Sequence, residues 1–369
     1  MKIQEYFDME KWEDMYNFLG KNYREDLPLR SQKIYEWQFQ VKKNHGKGNM
    51  ICAWDGDSLV GILGYMPSEV LWGDFNKPLN GVWSINWMVD EKYRHGIGWL
   101  LMRKLQEMFS IVFGTDATEE NLRLIKHADW RFYPALPRYI SILNIDKSLQ
   151  MLNKDFSAKN IKSFLFKRNG NEEDVLFVDR EQESKFESFN LDWQHYPSLA
   201  YGTIRSKDYL VWRYLNHPAL EYTIAIKGES KRPAVCVYRI EQTFGEYKAL
   251  VGRVVEFFHP NDAKGRKDGL GLINTVLHKL EKAGCAYVDF ICSSMKYGET
   301  LLNSGFGMEP VDNQILPVRL TPVEQKKHKY SIEIGAGKEI SIPPLGNLYV
   351  TKGDGDMDRA AQLKNFGEI

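Results

Sequence analysis

Two short glycine motifs hold the residues in this chain best suited to chemistry. One is Gly96-Ile97-Gly98, preceded by Arg94 and His95; the other is Gly269-Leu270-Gly271, preceded by Arg266. Each lies between a strand-like apolar run and an amphipathic run whose apolar residues recur at helical spacing. A helix begins with backbone N–H groups that lack an internal acceptor, and its dipole puts partial positive charge at the same end. Glycines let the main chain close on an anion without side-chain obstruction. Strand, polar loop, Gly-x-Gly and helix therefore predict a diphosphate clamp in both places. The dinucleotide fingerprint is excluded, because its third glycine is missing and position 99 is Trp. A nucleoside-triphosphate loop is excluded too, because Gly-x-x-x-x-Gly-Lys-Ser/Thr does not occur.

The elements that must position these motifs are repeated along the chain. Arg30, Ser31, Trp37 and Phe39 recur as Arg205, Ser206, Trp212 and Tyr214 at a single offset. Strand-like runs follow in the same order: Met50 to Trp54 and Tyr222 to Ile226, Leu59 to Tyr65 and Ala234 to Ile240, Val82 to Val89 and Arg253 to Phe258. After each glycine motif and its helix comes a further strand, Ile111 to Gly114 and Ala286 to Ile291. A duplicated unit explains five matches in one order. The predicted fold is α/β with α+β mixed sheets, built as two tandem domains at residues 1–150 and 151–325. Residues 326–369 supply C-terminal strands and a polar tail, loosely held past Val350. The boundary is expected near Asp146 to Ile161, after a strand at Tyr139 to Leu143.

Composition narrows the partners. Lys plus Arg and Asp plus Glu both number 49, so no global field attracts nucleic acid or an anionic membrane, and neither is an expected partner. The first residues lack a signal-peptide profile, and no apolar run is long enough to span a bilayer. The four cysteines have neither disulfide-rich density nor Cys-x-x-Cys spacing, which predicts free thiols and a cytoplasmic protein. The histidines show no metal-ligand spacing. Asp354, Asp356 and Asp358 begin like a calcium loop, but Arg359 stands at the glycine position and a polar turn is expected, so no metal is predicted. Trp37 and Trp212, being repeated, are predicted core anchors. Trp72, Trp83 and Trp87 have the chemistry to stack on a planar acceptor, with core packing expected for at least two of them.

The two loops resemble those of the GNAT superfamily of acyl-CoA-dependent N-acyltransferases. Its pattern, Gln/Arg-x-x-Gly-x-Gly/Ala, joins the fourth strand to the next helix. Arg266-Lys267-Asp268-Gly269-Leu270-Gly271 meets the pattern literally. Tyr93-Arg94-His95-Gly96-Ile97-Gly98 has its Arg one place later, behind the compact approach Val89 to Lys92. The resemblance covers roughly residues 1–145 and 160–320. Tandem members of the superfamily are known, and Trp212 to Pro218 and Gly353 to Arg359 are similar to segments of those linked to bacterial surface polysaccharides.

The resemblance implies a thioester between splayed fourth and fifth strands, with Trp87, Met88 and Val89 along the pantetheine. Arg94, His95, Gly96, Ile97, Gly98 and Trp99 would surround the diphosphate, and Arg266, Gly269 and Gly271 would do so in the second half. It further implies acetyl-CoA or another acyl-CoA as co-substrate and a small-molecule amine acceptor, such as an amino sugar. The family's thiolate-protonating tyrosine falls near Ile125 and on Leu301, so Tyr133 and Tyr139, slightly downstream, are the candidate substitutes. Asn86 and Ser84 would position a water. Glu256 is the better carboxylate, and equally a salt-bridge partner for Arg253 or Arg239. The first half is the expected CoA site and the second the acceptor cleft or a degenerate site. A Fem-like transferase using aminoacyl-tRNA and a non-catalytic ligand-binding protein are the alternative readings. A homo-dimer is an admissible assembly.

Overall fold

The computed structural model describes all residues except 74–76, 153–155, 167–173, 192–194, 197–199, 244–248, 313, 321–322, 325–328 and 360–369. The first half supplies strands β1 (Lys2–Gln4), β2 (Met50–Asp55), β3 (Ser58–Trp72), β4 (Leu79–Val89), β5 (Ile111–Thr115) and β6 (Arg131–Tyr133). Its helices are α1 (Trp12–Asn22), α2 (Gln32–Gln38), α3 (Ile97–Met108) and α4 (Glu119–His127). Beyond them come β7 (Arg138–Ile142), β8 (Leu176–Val178), β9 (Thr223–Lys227), β10 (Ala234–Gln242), β11 (Leu250–Phe258), helix α5 (Ala263–Lys282), β12 (Cys285–Ile291), helix α6 (Gly298–Asn303), β13 (Gly307–Glu309) and β14 (Ile332–Ala336).

Strand β2 up to Trp54 and the centre of β9, Ile224 to Ile226, are apolar and buried because both of their faces are covered. Along β2, Met50, Cys52 and Trp54 point to one side and pack with Met15, Phe18 and Phe39 of the α1 and α2 layer. Ile51 and Ala53 point to the other and pack with Ile97, Leu101 and Leu105 of α3, as the two-residue period of a strand requires. The first sheet is thus the middle of three layers.

The two sheets have matching strand orders: β1-β2-β3-β4-β5-β14-β6 and β8-β9-β10-β11-β12-β7-β13. Most pairs are antiparallel, but β4–β5 and β11–β12 are parallel, so both sheets are mixed. The sixth place is exchanged between the halves. β7, expected to close the first half, instead pairs with β12 and β13 in the second sheet. β14, from the far end of the chain, pairs with β5 and β6 in the first. The repeated tryptophans meet where the halves face each other. The Trp37 indole donates to the Trp212 carbonyl (2.9 Å), and the Trp212 indole donates to the Trp37 carbonyl (3.2 Å).

The stretch expected to be a loose tail is built into the structure as far as Asp358. Tyr349, Val350, Thr351 and Asp354 are fully buried. Among the described residues, no helix is long and apolar enough to cross a membrane.

Candidate functional site

The two helix starts beside the glycine motifs differ. After β4, the Asp90 carboxylate accepts from the Lys92 amide (3.2 Å) and sets up a single turn, Glu91–Tyr93. Gly96 then adopts φ 94° and caps α3 with no side-chain cap, a left-handed conformation that suits glycine. No atom lies within 4 Å of the place a Cβ would occupy there. The positive end of α3 is therefore open, and Arg94 and His95 are exposed beside it.

In the second half, α5 begins six residues before the motif. Asp262 caps it, its carboxylate accepting from the Gly265 amide (2.7 Å). Gly269 and Gly271 lie buried within α5, where a Cβ on Gly269 would run into the His259 ring. Arg266 turns back to the Asn261 carbonyl (2.9 Å). The expected second clamp at Arg266, Gly269 and Gly271 is thereby corrected. Gly269 serves the packing of α5 on His259, Gly271 lies buried inside the same helix, and the helix start is occupied by a carboxylate that repels anions. Gly269→Ala is accordingly expected to overpack this contact and lower stability by about 1–3 kcal/mol, read as a lower melting temperature in calorimetry.

The parallel pairs separate in both sheets. β4 and β5 pair only at Gly81 to Trp83 with Ile111 to Phe113. Against β3, Met88 faces Ile62 and Ile85 faces Gly64, which leaves an extra residue in a bulge at Asn86, whose φ is 52°. A bulge bends its strand, and here it accompanies the departure of β4 from β5. A cleft of about 960 Å³ occupies the gap. It runs from Arg94 and Gly98, between Ile85 to Val89 and Gly114 to Thr118, to the side of the second sheet at Arg239, Arg253 and Lys352.

In the second sheet, β11 and β12 pair as far as Val254 with Phe290, and a register shift lies between Glu256 and Val254. That gap is filled by the chain itself. The Ser293 amide donates to the Val350 carbonyl (2.8 Å), and the Lys352 amide to the Ile291 carbonyl (3.2 Å). The Tyr349 hydroxyl donates to Glu256 Oε2 (2.8 Å).

No family model matches the sequence, and no curated protein matches it significantly. Solved structures do match by shape. A GCN5-related N-acetyltransferase from Kribbella flavida superposes with a TM-score of 0.55 at 15% identity, over 90% of this chain and 70% of that one. A conserved protein of unknown function from Enterococcus faecalis V583, described as a probable N-acyltransferase, gives 0.54 at 10% identity, over 90% and 71%. The chain has the GNAT fold. Its mixed sheets, separated parallel pair and uncapped α3 are where the GNAT resemblance of the sequence places them.

Within this GNAT fold the expected residues are only partly brought together. Asn86, Trp87, Met88, Val89, Arg94 and Gly98 line the cleft. The Asn86 amide oxygen accepts from Gln38 (3.2 Å), and Trp87 lies against the start of α3, 3.3 Å from the place of a Gly98 Cβ. Trp72 and Trp83 are buried core residues, with the Trp83 ring stacked on Phe113.

Tyr133 and Tyr139 do not line the cleft. Tyr133 sits on β6, beyond β14, with its hydroxyl on the Pro343 carbonyl; Tyr139 goes with β7 into the second core. The strand exchange that removes them brings in Tyr330, just before β14, and the loop after α1 brings in Tyr23. Ile125, at the family's tyrosine position, packs in the α3 core. Glu256 pairs with neither Arg253 nor Arg239; both it and Arg205 are sealed in the second half.

Two carboxylates near the cleft were missed. Glu241 is bonded by Arg239 (3.2 Å) and Arg253 (3.0 Å). Burial alone would raise its pKa, but the two guanidiniums outweigh burial and lower it to about 2. Glu333, on β14, has the opposite environment. Burial raises its pKa to about 7, and neighbouring Asp116 adds to the shift; the hydrogen bond from Ser331 and the nearby Ala117 amide hold it down in part. Alternation along Ser331-Ile332-Glu333-Ile334 identifies a strand, but not that β5 would lie against it. Lys352, beside Arg253 and Arg239, has its pKa lowered, first by burial and then by those two charges. Its ammonium lies 3.3 Å from Asp358.

Proposed function

We propose that the protein is an acyl-CoA-dependent N-acyltransferase that moves an acetyl or other acyl group to a small-molecule amine, with CoA held by the first sheet. The carrying observation is the asymmetry of the two halves. The α3 start is uncapped and continuous with an open cleft, whereas the α5 start is capped by Asp262 and its gap is filled by Tyr349 to Asp358. Arg94, His95 and the first amides of α3 would hold the diphosphate through the helix dipole and charge-assisted hydrogen bonds. The backbone of Trp87 to Val89, unpaired on its β5 side, would hold the pantetheine and polarise the thioester carbonyl. The second half would supply the far wall of the acceptor pocket through Arg239, Arg253 and Lys352, with an amino sugar as one candidate acceptor.

Thiol release from acetyl-CoA over a panel of amines, together with calorimetry of CoA binding, tests this reading. Wild-type protein is expected to bind CoA. Gly98→Val, which crowds Trp87 at the start of α3, is expected to weaken binding at least about tenfold, equivalent to ~1.4 kcal/mol. Absence of CoA binding by the wild type would overturn the reading.

A further inference from the structure

Glu333 is fully buried, yet it lines the cleft. Its two oxygens are treated differently. Oε1 accepts from the Ser331 hydroxyl (2.7 Å), while Oε2 is buried without a hydrogen-bond partner. A buried, unpartnered carboxylate oxygen is costly and rarely kept without a role.

Its position is at the fork itself. Glu333 pairs across the sheet with Gly114 on β5, and the place of a Gly114 Cβ lies 3.1 Å from Glu333 Oε2 and 3.4 Å from Ser84 Oγ. Ser84 is the first β4 residue beyond the last pair with β5, and its hydroxyl donates to the Phe113 carbonyl (2.9 Å). The missing side chain at Gly114 thus lets Glu333 and Ser84 share one pocket where the strands part. The polar and charged groups acting on it are Asp116 just after β5, Ser331 beside its own strand and the Ala117 amide; Tyr330, Arg253 and Lys352 line the same cleft.

We propose that Glu333, delivered to the first sheet by the exchanged strand β14, is the general base that takes a proton from the acceptor amine. The inference rests on the acyltransferase reading. The amine nitrogen forms a bond to the thioester carbonyl carbon, Glu333 Oε2 takes the proton that nitrogen loses, and the C–S bond breaks. The electron pair leaves with sulfur, and the thiolate is protonated from the cleft or from solvent. A base of this kind works best with a pKa near the working pH, which the environment of Glu333 provides.

The test uses full-length protein, acetyl-CoA and the amine of the panel that gives the fastest thiol release. Glu333→Gln is expected to lower kcat by about 10²–10⁴-fold with CoA binding unchanged in calorimetry, and to remove the acidic limb expected of the wild type near pH 7. Ser331→Ala keeps the base but deletes a hydrogen bond that stabilises its anion, so the limb is expected to move to higher pH. Wild-type kcat in Glu333→Gln would overturn the proposal. So would an unmoved limb in Ser331→Ala, or lost CoA binding in Glu333→Gln, which would mark a structural role. Failure of the wild type to bind CoA would instead sink the acyltransferase reading on which the proposal stands.

Discussion

Cutting the chain at residue 150 is expected to give two fragments that do not fold apart and do fold together. The reason is the exchanged sixth strand. Without β14, β5 loses five paired residues, Ile111 to Thr115, and β6 loses its three. The same cut separates β7 from its partners, since β12, β13 and Leu165, which bridges to Ile142, all lie beyond residue 150. Ile332, Ile334, Tyr139, Ile140 and Ile142 are each at most 1% exposed in the intact chain. At about 1.5–3 kcal/mol per buried side chain, these five are worth roughly 10 kcal/mol, comparable with the total stability of a domain. Arg138 of β7 also carries the buried carboxylates Asp289 (2.7 Å) and Glu309 (3.0 Å); the cut would leave Asp289 to Arg253 alone and take the arginine partner from Glu309. Far-UV circular dichroism and amide dispersion in NMR would read each fragment alone and the equimolar mixture. A cooperative thermal transition in isolated residues 1–150 would contradict the expectation.

What was legible in the sequence was local. The strand runs alternate or are doubly apolar, and Met50 to Trp54 became β2 with one residue added. Ser31 and Ser206, matched in the repeat, both precede helical segments, Gln32–Gln38 and Lys207–Leu210, and Trp37 and Trp212 anchor each other. The second helix starts earlier than its glycines suggest, because Asp262, a residue type suited to cap a helix, begins one whose axis continues through Gly269-Leu270-Gly271. The order of β7 and β14 in the sheets was not legible at all. Both are short apolar strands that would complete either sheet, and which sheet they join is decided by pairings 151 and 221 positions away, Tyr139 with Phe290 and Ile334 with Phe113. Glu333 was hidden for the same reason, because its chemistry depends on Gly114 lying opposite it.

The asymmetry of the halves has a source in two equivalent arginines. Arg30 donates to the Glu25 carbonyl and lies over the Tyr16 ring near the surface. Arg205 is fully buried and bonds Glu256 (2.7 Å), Asp354 (2.6 Å) and the Thr203 carbonyl (2.9 Å). It therefore ties the C-terminal segment into the gap of the second sheet. Among the described residues, the same segment only lines the open cleft of the first half, through Asp356, Met357 and Arg359.

Arg205→Ala is expected to destabilise the protein by about 3–5 kcal/mol, because it strands two buried carboxylates. Glu256 would keep its hydrogen bonds from Tyr214 (2.7 Å) and Tyr349 (2.8 Å), and Asp354 its bond from the Thr351 amide (2.9 Å). Neither set supplies a countercharge. Burial already raises the Glu256 pKa against the pull of Arg205, so removing the arginine raises it further. A folded-state pKa above the unfolded value gives stability that is present below the unfolded pKa and lost as pH rises through the folded one. The defect of Arg205→Ala is therefore expected to be largest at neutral and higher pH and to shrink on acidification, when Glu256 binds a proton. Urea melts across pH would read this slope, and adding Glu256→Gln to Arg205→Ala would recover part of the loss. Hydrogen exchange separates a local from a global origin. If Arg205 is what holds the segment in the gap, the amides of Val350 and Lys352, bonded across to Ser293 and Ile291, lose protection before those of β9 and β10 do.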